Sequence, residues 1–189
     1  MNELVRRTLG EVIALHQRLM DGELGPVVAA ADTIARAIRS GGTLLTFGNG
    51  GSAADAQHVA SELVGRFQRE RAAMAAIALT TDSSVVTSVA NDYGYERVFA
   101  RQVEALGRKG DVALGISTSG ASANVVAALE TARLRGLHTI ALTGRDGGAV
   151  GRAASVHVNV PCDVTARVQE AHRTILHAIC DLVERAVAM

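Results

Sequence analysis

The sequence predicts an α/β fold: a doubly wound, five-stranded parallel sheet with helices on both faces, plus an N-terminal helical extension. Three observations predict it. Five short apolar runs, TLLTF (43–47), AAIAL (75–79), DVALGIS (111–117), HTIAL (138–142) and SVHVNV (155–160), are bounded by Gly, Ser, Asp or Pro. Four of the five precede segments with helix character, and the last leads into a long helical stretch over about 164–187. That alternation implies a parallel sheet covered on both faces. No repeat, low-complexity tract or linker divides the 189 residues, so the chain reads as one domain, with helices over 1–40 and the α/β core over 41–189.

In chain order, Val5, Leu9, Val12, Leu15 and Leu19 recur at helical spacing and make the first helix. A second begins near Pro26, carries Val27, Ala31, Ile34 and Ile38, and is stopped by Gly41-Gly42. This pair is amphipathic without a basic face, and its apolar stripe is expected to bury against another subunit. In the sheet that follows, ligands bind beyond the carboxyl ends of the strands. Three polar loops sit there: GNGGS (48–52), STSGAS (117–122) and TGRDGG (143–148).

Composition excludes several function classes. Hydrophobic residues make up 48% and charged residues 20%, as in ordinary folded soluble proteins. Nineteen basic residues balance nineteen acidic ones, so no electrostatic footprint for nucleic acid exists. Three Phe, two Tyr and no Trp leave little for base stacking. Cys162 and Cys180 are too few for a disulfide scaffold or a CxxC metal site, which points to a reducing cytoplasm. The first residues, MNELVRRTLGEVIALHQ, lack the apolar core of a secretory signal. No apolar run approaches the roughly 20 residues that span a bilayer.

GNGGSA formally satisfies the dinucleotide pattern G-x-G-x-x-A between a strand and a helix. A lone match is weak, and the acid that should hold the ribose is missing from its place; Glu70 lies before the second strand, which ends in Thr80-Thr81-Asp82. The Lys of a Walker loop is absent too. Glycines serving only a tight turn are the plain alternative. STSGAS is the better phosphate candidate, because Ser117, Thr118, Ser119 and Ser122 cluster where a strand gives way to a helix. Free N–H groups and the helix dipole favour an anion there. The competing reading is that Ser122 merely caps the helix.

Behind the first loop, His58 and Glu62 lie four residues apart and face one way. Such a pair serves as a surface hydrogen bond, a partnered core histidine or two ligands of a divalent metal. The last helix, RVQEAHRTILHAI, shifts the balance towards metal, since Gln169 and His177 stand among Val168, Ile175, Leu176 and Ile179. Those two are about 12 Å apart along an ideal helix and about 80° around it. Either the long side chains lean together, or one serves a neighbouring subunit's site. His16, His138 and His157 read as structural or exposed, and His172 is expected at the surface.

These segments carry a resemblance. GNGGSAADAQHVASELVGRF, ALTTDSSVVTSVANDYGYERVFARQV, GDVALGISTSGASANVV, ALTGRDGG and RVQEAHRTILHAICDLVE resemble the sugar isomerase (SIS) domain family, with its flavodoxin-like sheet, and more narrowly its phosphoheptose isomerase branch. The similarity runs from about residue 40 to 187, and the two leading helices fit it. It implies a cytoplasmic, zinc-dependent homotetramer, with sites between subunits, that interconverts sedoheptulose 7-phosphate and D-glycero-D-manno-heptose 7-phosphate through an enediol(ate). Carried over by position, Ser117, Thr118, Ser119 and Ser122 grip the phosphate. Asn49, Gly50, Gly51, Ser52, Asn91 and Asp92 line the sugar. Gln169 touches substrate and metal; His58, Glu62, Gln169 and His177 surround one zinc per subunit; Glu62 and His177 do the proton chemistry. Ala166 departs from relatives that have an acid there. Competing expectations are an isomerase of another phosphosugar on the same fold, and a non-catalytic SIS regulator of the replication initiator, which would lack parts of this set.

Overall fold

The computed structural model describes residues 1–188. The chain runs α1 (Asn2–Met20), α2 (Gly25–Arg39), β1 (Leu44–Gly48), α3 (Gly51–Val64), β2 (Ala76–Ala78) and α4 (Ser83–Tyr93). A 3-10 turn (Tyr95–Arg97) leads into α5 (Val98–Leu106), β3 (Val112–Ser117), α6 (Ala123–Leu134) and β4 (His138–Gly144). Then come α7 (Gly148–Arg152), β5 (Val156–Val160) and α8 (Thr165–Val187). The sheet has five strands in the order β2-β1-β3-β4-β5, and every pairing is parallel.

Period-two alternation assigns each strand's side chains to a face. Leu44, Val112, Leu114, Ile116, Ile140, Leu142 and Val158 pack under α2, α3 and α8. Leu45, Phe47, Ala113 and Ala141 pack under α5, α6 and Val150 of α7, with α4 leaning on the edge. The second face is built of smaller residues because α6 lies close: a Cβ on Gly115 would come within 2.8 Å of Val125 Cγ1. The doubly wound expectation therefore matches the molecule. One strand is shorter than read. β2 covers three residues instead of five, because it is an edge strand whose central Ile77 is exposed.

The order places β1 beside both β2 and β3, so the chain leaves β1 in one direction and returns to build the rest in the other. The crevice at that reversal lies beyond the carboxyl ends of β1 and β3, where GNGGS and STSGAS sit.

Of the stripe on α1, Leu15 is buried against Val160, Val168 and Ala171, and Leu19 packs beside it. Leu4, Val5, Leu9 and Ile13 remain exposed on the single chain. Among the described residues, no helix is long and apolar enough to cross a membrane.

One histidine is not where the sequence reading put it. His172 is fully buried, at 0% exposure, because it shares the inward face of α8 with Val168, Leu176 and Ile179. Its Nε2 donates to the Thr143 carbonyl at 3.0 Å, and its Nδ1 has no partner. Burial holds its pKa below the ordinary histidine value. His16 and His157 are structural, as expected, bonding to Thr174 at 3.0 Å and to the Thr143 hydroxyl at 2.7 Å.

Candidate active site

The glycine loop is shaped by contact and conformation at three consecutive demands. A Cβ on Gly48 would lie 2.8 Å from the Ile116 carbonyl oxygen, and one on Gly51 would lie 2.2 Å from Gln169 Nε2. Gly50 caps α3 with φ +57°, a backbone that side chains rarely adopt. Between them Asn49 exchanges two amide hydrogen bonds with Asn124, at 2.8 and 2.9 Å, and accepts a third from the Tyr95 hydroxyl at 3.2 Å. Ser52 is buried beneath the turn. Asn91 and Asp92 stay exposed on α4 and bond to each other at 2.8 Å; Tyr95, just beyond them, ties that segment to Asn49.

The second loop forms a small hydroxyl cluster. Ser117 Oγ lies 2.8 Å from Ser122 Oγ and 3.4 Å from Ser119 Oγ. Ser122 is the N-cap residue of α6, yet its hydroxyl makes no capping bond. Among the described residues, the N–H groups of Ala123 and Asn124 find no acceptor. An uncapped N-terminus with hydroxyls turned inward suits an anion, so the simple capping alternative does not describe this helix. The third loop is a buttress. Gly120 (φ +67°) and Gly148 (φ +51°) abut so closely that a Cβ on either would strike the other's backbone, and Val150 N–H donates to the Gly120 carbonyl at 2.9 Å.

α3 and α8 carry the remaining candidates. Their cross-contacts occur in the same order on both helices: Gly51 with Gln169, Asp55 with Arg173, His58 with His177. The helices therefore run parallel, and each rung holds its own chemistry. On the last rung His58 Nε2 lies 2.8 Å from His177 Nε2 and 3.2 Å from Glu62 Oε1. One ligand atom from each of these three residues lies within 4.8 Å of the others, a grouping able to hold a metal ion. The Phe67 ring covers the His177 ring at 5.3 Å between centroids.

Gln169 occupies the first rung, about 10 Å up the α3 axis from His58. Within one protomer the structure thus brings together His58, Glu62 and His177, and sets Gln169 with the glycine loop. Gln169, Glu170 and Arg173 line one side of an open cleft of about 470 Å³, with Gly51, Ala54 and Asp55 opposite.

Two groups of the middle rung escaped the sequence reading. Arg173 donates through Nε and Nη2 to Asp55 Oδ1, at 2.9 and 2.5 Å. A signal existed: Asp55 precedes His58 by three, and Arg173 falls midway between Gln169 and His177. Partial burial, first, and the Arg173 charge, second, hold His58 below its ordinary pKa, against the pull of Glu62. The imidazole is thereby kept neutral.

The donor set passes a direct test for a cation. Two imidazole Nε2 atoms 2.8 Å apart cannot both carry protons between them, so at least one offers a lone pair where the rings meet, with Glu62 Oε1 3.2 Å from His58 Nε2. Neutral imidazoles with one carboxylate are suitable ligands for a divalent ion. Cys180 stands outside this grouping, and burial, with Glu62 and Glu184, pushes its thiol up to about 12.

Comparison with known proteins gives the family and the fold. The model of the SIS domain matches residues 9–144. Phosphoheptose isomerase of Geotalea daltonii is 55% identical over 174 residues, covering 90% of this chain and 91% of that protein. Phosphoheptose isomerase of Halorhodospira halophila is 48% identical over 189 residues, covering 98% and 96%. The solved structure of phosphoheptose isomerase from Neisseria gonorrhoeae superposes with a TM-score of 0.92 at 46% identity, over 97% of this chain and 98% of that one.

Proposed function

The chain belongs to the SIS domain family, and from that premise we infer that it acts as a phosphoheptose isomerase. It is an intramolecular aldose–ketose isomerase that interconverts sedoheptulose 7-phosphate and D-glycero-D-manno-heptose 7-phosphate, a step towards heptose precursors. The observation that carries the reading is the meeting of His58, Glu62 and His177 below the crevice, in a chain about half identical to full-length proteins of that name.

The residues divide the reaction between them. The phosphate enters the STSGAS cluster, where Ser117, Thr118, Ser119 and Ser122 and the free N–H groups of α6 hold it without a cationic side chain. Asn49, Gly50, Gly51 and Ser52 line the sugar, with Asn91 and Asp92 approaching from α4. Glu62 removes a proton from the carbon beside the carbonyl and returns it to the neighbouring carbon; general acid–base catalysis of this kind contributes roughly 10²–10⁴ in rate. Its Oε1 faces His58, which leaves Oε2 to carry the proton. His177 relays a proton between the two substrate oxygens. His58, Glu62 and His177, joined by Gln169 across a subunit boundary, would hold one zinc, which when bound supplies Lewis-acid stabilisation of negative oxygen.

A homotetramer in the cytoplasm is part of the same proposal. Its support is the exposed apolar row Leu4, Val5, Leu9 and Ile13 on α1, which a second copy would cover. Turnover of five-, six- and seven-carbon ketose phosphates tests the substrate directly. The seven-carbon sugar should exceed the others by at least an order of magnitude in kcat/KM; equal or greater turnover of a shorter sugar would replace this reading with another phosphosugar isomerase.

A further inference from the structure

Glu184 takes no part in the proposed chemistry, yet its side chain is fully buried, at 0% exposure. A buried carboxylate is tolerated only when hydrogen-bonded or paired. Its Oε1 accepts the Phe67 N–H at 2.7 Å, and Oε2 accepts those of Gln68 and Arg69, each at 3.0 Å. Arg71 Nη2 lies 3.2 Å from Oε1. Burial alone would raise the carboxyl's pKa, but the three N–H groups and Arg71 outweigh it and hold the group below its ordinary value. It is an anion at neutral pH.

What this anion grips is the back of the His58–Glu62–His177 centre. The segment it holds carries Phe67, whose ring lies against His177. The guanidinium it holds caps α3: Arg71 donates to the Glu62 carbonyl at 2.8 Å and to the Leu63 carbonyl at 2.7 Å. Those carbonyls end a helix and have no partner within it, and a cation is favourable there. Glu184 itself lies seven residues beyond His177, two turns along one face of α8. One buried carboxylate thus joins the helix that bears His177, the ring that covers it and the last turn that bears Glu62.

The structure assigns Glu184 as a positioning residue for this centre, acting through Phe67 on His177 and through Arg71 on Glu62. The assignment rests on reading His58, Glu62 and His177 as a metal-binding acid–base centre. A plain staple between α8 and the 65–69 segment would affect stability alone, so the two are separable.

Glu184→Gln preserves the shape but turns an amide N–H towards N–H donors. Phe67→Leu leaves the carboxylate and its bonds intact and removes only the ring. Zinc affinity is measured on both variants by competition with a chromophoric chelator, alongside melting temperature and kcat and KM for sedoheptulose 7-phosphate. Glu184→Gln should weaken zinc about 10–100-fold, as loss of outer support to ligands does. Its kcat should fall at least about tenfold with KM little changed, because the phosphate loop is untouched. Phe67→Leu should move affinity and kcat in the same direction while the protein stays folded at the assay temperature, its melting temperature lowered only by the lost packing of the ring on the core. Wild-type affinity and kcat in the folded Glu184→Gln protein overturn the assignment. If that variant does not fold, Phe67→Leu decides alone, and wild-type values there overturn it. A wild-type protein that binds zinc but does not turn over the sugar sinks the functional reading, while the ranking of affinities still decides the role of Glu184.

Discussion

Gly51 begins α3 in ordinary helical conformation, so nothing in its backbone demands glycine. What demands it is Gln169, whose Nε2 would stand 2.2 Å and Cδ 3.0 Å from the Cβ of an alanine. Ordinary contact begins near 3.4 Å, so the amide must retreat by about 1.2 Å. The retreat is easy, since the atom ends a flexible side chain; an off-rotamer torsion costs about 0.5–1.5 kcal/mol. Alanine in place of glycine returns at most about 1 kcal/mol of helix propensity, the helix-interior value, at this first helical position. The two nearly cancel, and Gly51→Ala should melt within a few degrees of wild type. Its kcat/KM should nevertheless fall about 10²-fold, the scale set by a 1 Å misplacement of a positioned group. Gly50→Ala is the contrasting control: at φ +57° and ψ −122°, outside even the left-handed helical region, and with nothing within 4 Å, it should lose about 1–3 kcal/mol to backbone strain. Thermal melts and steady-state kinetics on both variants make the comparison. Full activity in Gly51→Ala, or a loss no larger than its unfolded fraction, would refute the place given to Gln169 in the site.

Two further outcomes follow from the same geometry. Glu62→Gln should abolish turnover while leaving phosphate-group binding within about twofold of wild type by calorimetry; substantial residual turnover would remove Glu62 as the proton shuttle. Burial lowers the pKa of His172 below 6.5, so on acidification the unfolded chain takes up a proton that the folded chain refuses. The sign is therefore that stability is intact above about pH 6.5 and declines as pH falls below it, by at most about 1.4 kcal/mol per pH unit for one proton. His172→Gln keeps a donor for Thr143 and should flatten part of this decline in urea melts at pH 7.5, 6.5 and 5.5, leaving the shares of His58 and His157, which are also held below the ordinary value; an unchanged slope would show that His172 protonates as readily folded as unfolded.

The sheet was legible because each strand is a short apolar run closed by a turn residue, and both periods are visible in the letters. β2 was overread because edge exposure is a tertiary property: AAIAL looks the same whether one or both sides are paired. His58 and Glu62 were legible as a pair by helical spacing alone, and His177 as a polar head among the apolar residues of the last helix; only the resemblance joined it to that pair. Their convergence is set by the parallel course of α3 and α8, which no local pattern specifies. The same course explains why Gln169 and His177, eight residues apart, address different rungs within one protomer. His172 was misplaced because a polar letter on a mixed helix says nothing of which face turns inward. Glu184 and Arg71 were invisible for a related reason: their partners are backbone groups far away in sequence, and backbone carries no letter.

Zinc titration of chelator-stripped protein, with and without His58 and His177, addresses the centre itself. The stripped wild type should be inactive, take up one zinc per chain and recover turnover of sedoheptulose 7-phosphate in proportion to occupancy. The variant carrying His58→Gln and His177→Gln should stay folded and take up none. Wild-type zinc affinity in that double variant, or full turnover by the stripped protein, would contradict the centre described above.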